Sequence, residues 1–252
     1  FSWVAPSNIG RQVSEYLTFT DGKNITHPYL LKNWVVSDDL KTWTLNLRKG
    51  VKWNNGYTFT SDDVIFTFNQ WMNKDVGSSI LGLMGEYLDL SGIEKVDQYQ
   101  VKLHLKQAEI AIPEHLFHYP ALVLNAKTFE GDFVKAPVGT GPYTLESFLP
   151  GERCVLKARK DYWQKGTDGQ PLPYMDGMEI IDMGTEMAPQ IAALKAGEID
   201  YLDLGDFGGV DVLGALRNDP NIQIIPVTSA STRVLRMRVD MKPWDNNKVR
   251  TA

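Results

Sequence analysis

Between Pro137 and Trp163 the chain narrows its own options. Pro137-Val-Gly-Thr-Gly-Pro-Tyr-Thr-Leu145 places Gly139, Gly141 and Pro142 in one short crossing. Gly141 precedes a proline, which pushes it away from the α region, so this residue is expected to need a backbone freedom that others lack. An alternating segment follows, with Tyr143, Leu145 and Phe148 set against Thr144, Glu146 and Ser147. A second strand, Arg153 to Arg159, ends at Asp161-Tyr162-Trp163. The expectation is a chain that passes between two sub-domains and then builds a hairpin.

Around this crossing the pattern is mixed α/β. Ser7 is placed to cap a helix running to about Leu17, with Ile9, Val13, Tyr16 and Leu17 on one face. Phe1 to Val4 reads as strand and polar Thr18 to Thr26 as loop. Trp34 to Ser37 is extended, Asp38 to Lys41 turns, and Thr42 to Arg48 alternates with Trp43, Leu45 and Leu47 on one side. Asn54-Asn55-Gly56 is a turn. Thr60 and Asp63 have capping-box spacing ahead of Val64, Phe68 and Trp71, with Asp in place of the usual Glu or Gln. Ile93 to Leu105 holds strands, and Pro113 starts a short helix through His118. After an irregular stretch from Gly166 to Gly177, a strand over Met178 to Met183, a helix capped by Thr185 or Glu186 and a strand over Ile199 to Leu204 predict a βαβ unit. Ile191 and Leu194 face inward in that helix and Gly197 stops it. Val210 to Arg217 reads as helix, and Ile222 to Val227 and Arg233 to Val239 as strands.

Composition excludes some functions. With 43% hydrophobic and 23% charged residues the chain suits one or two globular domains. Its net charge of −5 is spread over both signs, without a basic block for nucleic acid. No apolar run reaches the roughly 18 residues of a membrane span. Cys154 is the lone cysteine, so no intrachain disulfide forms, and this leaves the compartment open. The start at Phe1 and the helix beginning near Asn246 are both abrupt, as expected of a piece of something longer.

Catalytic candidates are thin, and neither a catalytic residue nor a cofactor is expected. His115 and His118, beside Glu114, have part of a metal-site spacing, but a helix of an accessory region explains them as well. Asp38, Asp39, Asp62 and Asp63 sit where turns and caps want aspartate, so no metal is assigned to them. Gly205-Asp206-Phe207-Gly208-Gly209 is a glycine-rich strand-to-helix turn without a P-loop lysine. Trp34, Trp43, Trp53 and Trp71 fall at core-facing positions, and Trp163 reads as structural.

Four blocks in order carry a resemblance. They are Trp34 to Gly56 continuing to Asp62-Asp63-Val64, the crossing at 137–163, Gln190 to Tyr201, and Pro243 to Ala252. Together they cover nearly the whole chain, which resembles the large peptide-type solute-binding proteins of ABC importers, family 5. The resemblance implies an α/β, periplasmic-binding-protein-like fold of the type II peptide-binding class. Only a first lobe would be present, carrying an inserted mixed α+β accessory domain, with the second lobe absent. Residues 1–20 plus 138–240 would form the α/β ligand-binding domain, 21–137 the insert, and 241–252 the start of the crossover to the second lobe.

The implied function is non-enzymatic capture of oligopeptides, or of an oligosaccharide, opine or nickel chelate, for delivery to membrane permease subunits. The implied setting is periplasmic, or lipid-anchored at a bacterial or archaeal cell surface. A monomer that binds no nucleic acid is expected. The family's cleft would be lined by strand ends, giving Trp3, Val4, Leu204, Gly205, Asp206, Ser231 and Arg233 as ligand-facing. An aromatic at Trp3 suits stacking. Leu204 to Asp206 fits the tendency of ligands to gather at the carboxyl ends of strands. Arg233 and Arg236 are candidate carboxylate partners. The competing class is an enzyme whose catalytic residues lie elsewhere in a longer chain.

Overall fold

The computed structural model describes residues 4–203, 210–226 and 237–251. Helix α1 spans Val4–Val13. It begins and ends earlier than the sequence pattern implied, and Val4 is helical where a strand was expected. The early end has a tertiary cause: the Val13 carbonyl, which a helix reaching Leu17 would give to Leu17 N, accepts from Gly141 N instead. The carbonyl of Tyr16 accepts from Leu30 N, and that of Leu17 from Tyr29 N and Leu31 N. The polar stretch that follows is a hairpin, not a free loop: β1 (Thr18–Thr20) pairs antiparallel with β2 (Thr26–Pro28). Asp21 closes its tip by accepting from Lys23 N and Ile25 N, each at 2.9 Å.

Four strands make the first large sheet: β3 (Leu31–Val36), β4 (Thr42–Leu47), β5 (Ile93–Asp97) and β6 (Gln100–His104), in the order β3-β4-β6-β5 and antiparallel throughout. The alternation read in Thr42 to Arg48 is the burial pattern of β4, whose Trp43, Leu45 and Leu47 are buried. Helix α2 (Ser61–Met72) covers this face through Val64, Phe68, Trp71 and Met72. Its capping box forms, the Asp63 carboxylate accepting from Thr60 N at 2.9 Å. Asp63 also accepts from Trp53 Nε1 at 3.2 Å and Ala126 N at 3.0 Å, so it is a buried junction as well as a cap. Burial pushes its carboxyl up against those hydrogen bonds. Two short helices, α3 (Ser79–Met84) and α4 (Ile112–His115), close the end of this core. Trp53 is fully buried and Trp34 packs at the rim.

The crossing leads into a second sheet of β7 (Tyr143–Leu149), β8 (Arg153–Ala158) and β9 (Gly177–Ile181), antiparallel and in chain order. A register shift between Leu145 and Ser147 lets Phe148 rejoin the face of Leu145, opposite Cys154. Phe148 lies at the open end of that face and stays 37% exposed. Val13, Tyr143, Cys154 and Leu156 form a smaller core here, with Ile9 and Met178 packed against it. Helix α5 (Met187–Ala196) ends at Gly197, whose φ of 71° suits glycine. Gln190 and Ala193 are its buried positions, while Ile191 and Leu194 are half-buried, so its inner face is rotated from the expected one.

The predicted βαβ unit is not seen among the described residues: residues 199–203 carry no ladder there, and Leu204 lies outside them. Residues 222–226 and 237–239 are likewise not strand; the rest of those two predicted strands lies outside the described residues. Helices α6 (Val210–Leu216) and α7 (Asn247–Thr251) fall where the sequence placed them.

Trp43 tests this architecture. It is 2% exposed and its Nε1 donates to Glu109 O at 3.2 Å. Trp43→Ala is expected to lower unfolding free energy by roughly 3–5 kcal/mol in urea melts. Coincident melts would contradict the core position of β4.

Candidate functional site

The crossing runs directly against the C-terminal turn of α1. Gly141 N donates to Val13 O at 2.8 Å. A Cβ on Gly139 would lie 1.8 Å from Val13 O, and one on Gly141 would lie 2.7 Å from the Gln12 and Val13 carbonyl oxygens. Close backbone approach is therefore what demands glycine at 141, in place of the conformational freedom expected from its position before Pro142.

Arg159, at the end of the hairpin, holds this approach from the other side. Its buried guanidinium donates through Nη1 to Gly139 O (3.3 Å) and Gly141 O (3.2 Å), and through Nη2 to Lys52 O at 3.2 Å. Asp161 completes the set as a bidentate carboxylate at 3.0 and 3.2 Å. Asn54 adds its backbone N–H to Gly139 O at 2.9 Å and its side chain to Pro137 O at 3.0 Å. The two sheets are thus tied at one point by a shared cation.

Beside it lies a buried carboxyl group. Glu15 accepts from the Tyr162 hydroxyl and from Trp163 Nε1, the latter at 2.9 Å. Tyr29 pairs with the Tyr162 hydroxyl at 3.2 Å, and Gln164 Nε2 donates to it at 2.8 Å. The buried Thr140 hydroxyl faces the same carboxylate without a well-formed hydrogen bond. Arg48 stands over the Trp163 ring, 5.1 Å from its centroid. Burial raises the Glu15 carboxyl above its ordinary value, and the donors only partly offset this. Trp163 is structural, as expected.

The other candidates separate. Val4 sits in the first turn of α1. Trp3, Leu204, Gly205, Asp206, Ser231 and Arg233, together with Arg236, lie outside the described residues. His115 Nδ1 pairs with the Tyr87 hydroxyl, whereas His118 Nδ1 is buried without a partner. Burial pulls both imidazoles below their ordinary value. Among the described residues no group of three potential metal ligands forms. Asp39 accepts from Ser37 Oγ and Lys41 N within its turn, and Asp62 pairs with Lys95 on the surface. Sequence reasoning missed Glu15 and Arg159. Glu15 follows Ser14, and Arg159 lies among Lys157, Lys160 and Asp161, so both read along the chain as surface charges.

The comparisons with known proteins agree with this fold. The profile of the bacterial extracellular solute-binding proteins, family 5, middle region, matches residues 26–252. The chain belongs to that family. A probable peptide ABC transporter periplasmic-binding protein of Sinorhizobium fredii is 29% identical over 95% of this chain and 46% of its own length. The glutathione-binding protein GsiB of Salmonella choleraesuis is 30% identical over 88% of this chain and 42% of its own. Solved structures superpose as well. NikZ from Campylobacter jejuni, solved with Ni(L-His), gives a TM-score of 0.75 at 27% identity, covering 93% of this chain and 45% of that one. DppA from Helicobacter pylori, solved with the peptide STSA, gives 0.65 at 24% identity over 75% and 40%, a likeness of fold. The chain spans under half the length of the curated relatives it matches.

Two outcomes test this family's crossing in the present chain. Gly141→Val should lower the urea midpoint by the equivalent of roughly 1–3 kcal/mol through overpacking, and Gly139→Ala by at least as much; unchanged midpoints would contradict the close approach. For Glu15 the native carboxyl binds its proton more tightly than the unfolded one. Its contribution to stability is therefore full below the ordinary value near 4.5 and declines as pH rises toward the raised native value. Glu15→Gln should flatten that decline in melts taken from pH 4 to pH 8, an order-of-magnitude window set by the same linkage. A slope identical to wild type would show that Glu15 is not its source.

Proposed function

We propose that residues 1–252 form the first-lobe portion of an extracytoplasmic substrate-binding component of an ABC importer, which captures oligopeptides and delivers them to permease subunits. Membership of family 5 across residues 26–252 carries this reading. The names of the Sinorhizobium relative and of the di/tripeptide-binding protein of Pseudomonas aeruginosa favour peptide as ligand. The family's members are transport binding proteins, in keeping with a receptor that leaves its ligand intact. A nickel chelate is the second reading, favoured by the match to NikZ with Ni(L-His).

In this reading residues 1–20 plus 138–240 are the ligand-binding α/β domain, 21–137 the inserted accessory domain and 241–252 the lead to a second lobe. Trp3, Val4, Leu204, Gly205, Asp206, Ser231 and Arg233 line the first-lobe wall of the cleft. Closure of two lobes on the solute shifts a population from open to closed, and the affinity resides in the enclosed state. The protein works as a monomer, in the periplasm or lipid-anchored at the cell surface, without nucleic acid. No described helix is long and apolar enough to cross a membrane.

Native mass spectrometry of the complete polypeptide from its own cells should release a peptide. Release of a nickel chelate, opine or sugar instead would replace the peptide reading. Calorimetry with the released ligand should show residues 1–252 alone binding orders of magnitude more weakly than the complete polypeptide. Each buried polar partner left unmade costs about 1–3 kcal/mol, and several would be lost. Equal affinity would place the whole site in these residues and end the two-lobe mechanism.

A further inference from the structure

Asparagine precedes glycine once in this chain, at Asn55-Gly56. The pair forms the tip of a short hairpin turn: Trp53 N donates to Tyr57 O and Gly56 N to Trp53 O, each at 2.9 Å. Asn55 and Gly56 are both exposed. Gly56 has a φ of 84°, and the space where a Cβ would lie is open. Tyr57 N donates to Asn55 Oδ1 at 3.2 Å. The Asn55 amide is therefore wet, polarised by a backbone N–H and followed by a residue without a side chain. Every other asparagine precedes a residue that has one. Asn125 is also buried, its Oδ1 held by Lys127 N and the Thr128 hydroxyl.

Such an asparagine can lose its amide without an enzyme. The Gly56 nitrogen attacks Asn55 Cγ, and a C–N bond forms as the Cγ–Nδ2 bond breaks. Ammonia leaves with the proton that Gly56 N carried, and a cyclic imide remains. Water then opens the imide at one of its two carbonyls. One opening gives aspartate. The other gives isoaspartate, whose main chain runs through Cβ and Cγ and is longer by a methylene. Water is the sole co-reactant, and negative charge gathering on Oδ1 in the first step meets the Tyr57 N–H. The hydrogen bond from Gly56 N to Trp53 O must open first, as an exposed turn does locally.

We propose that Asn55 is a site of spontaneous deamidation and isomerisation, and that its isoaspartyl form weakens the crossing at Gly139 to Gly141. The coupling follows from what the same turn holds. Asn54 gives its N–H to Gly139 O at 2.9 Å and its side chain to Pro137 O at 3.0 Å. Lys52 O accepts from Arg159 Nη2 at 3.2 Å. A methylene inserted directly after Asn54 changes the turn that aims these groups, at a contact where a Cβ on Gly139 would already lie 1.8 Å from Val13 O.

The complete polypeptide is held at mildly alkaline pH for weeks and mapped by peptide mass spectrometry, with fragmentation that separates aspartate from isoaspartate. Asn55 should lose its amide well ahead of every other asparagine and appear in both acid forms. Aged wild type should melt at lower urea than fresh protein. Asn55→Gln, whose longer side chain closes a larger ring more slowly, should age without that shift. Fresh Asn55→Asp should melt close to wild type, which separates the added charge from the lengthened backbone. An Asn55 that keeps its amide, or loses it no faster than the other asparagines, would overturn the site. Conversion with an unchanged midpoint, an equal ageing loss in Asn55→Gln, or an equal loss in fresh Asn55→Asp would overturn the coupling to the crossing.

Discussion

The carbonyl of Val13 and the backbone of Gly139 lie so close that a single Cβ at 139 would sit 1.8 Å from the Val13 oxygen. Around this contact the rest of the structure is organised. The chain must pass there to leave the first sheet and begin the second, and glycine lets it pass. Arg159 then gathers the carbonyls of Gly139, Gly141 and Lys52, the first of which also accepts from Asn54 N. Asp161 balances the cation. Glu15 is joined to the residues that follow, Tyr162 and Trp163, so hairpin, crossing and the segment after α1 form one junction.

The junction links the sheet containing Trp43 with the sheet containing Cys154 through charge-assisted hydrogen bonds. The segment from Ala121 to Asn125 adds a second tie. Val123 N donates to Glu15 O and Val123 O accepts from the Ser14 hydroxyl, while Leu124 N donates to Thr67 Oγ1. Polar groups buried in this way rigidify because each has a specific partner.

Local pattern made the accessory half legible. Trp43, Leu45 and Leu47 alternate because one face of β4 is buried and the other wet. The Thr60–Asp63 spacing marks a helix start wherever it occurs, because four N–H groups there need acceptors. The step from Leu145 to Phe148 foreshadowed the register shift in β7. The crossing was recognisable from Gly139, Gly141 and Pro142 alone, and the four ordered blocks carried the family.

What sequence could not decide were choices made by distant partners. α1 stops at Val13 because the Val13 carbonyl is claimed by Gly141 N, and nothing near Val13 encodes that. Residues 199–203 have the composition of a strand, yet among the described residues no strand pairs with them. The charge pattern of Glu15 and Arg159 looks like that of surface residues until their partners, more than a hundred positions away in the cases of Tyr162 with Glu15 and Lys52 with Arg159, close over them. Gly141 was marked from sequence as special, but the reason, a carbonyl from another element in the space of its missing side chain, belongs to tertiary structure. Periodicity and caps act over a few residues and can be read along the chain; desolvation and steric exclusion depend on what the fold brings near.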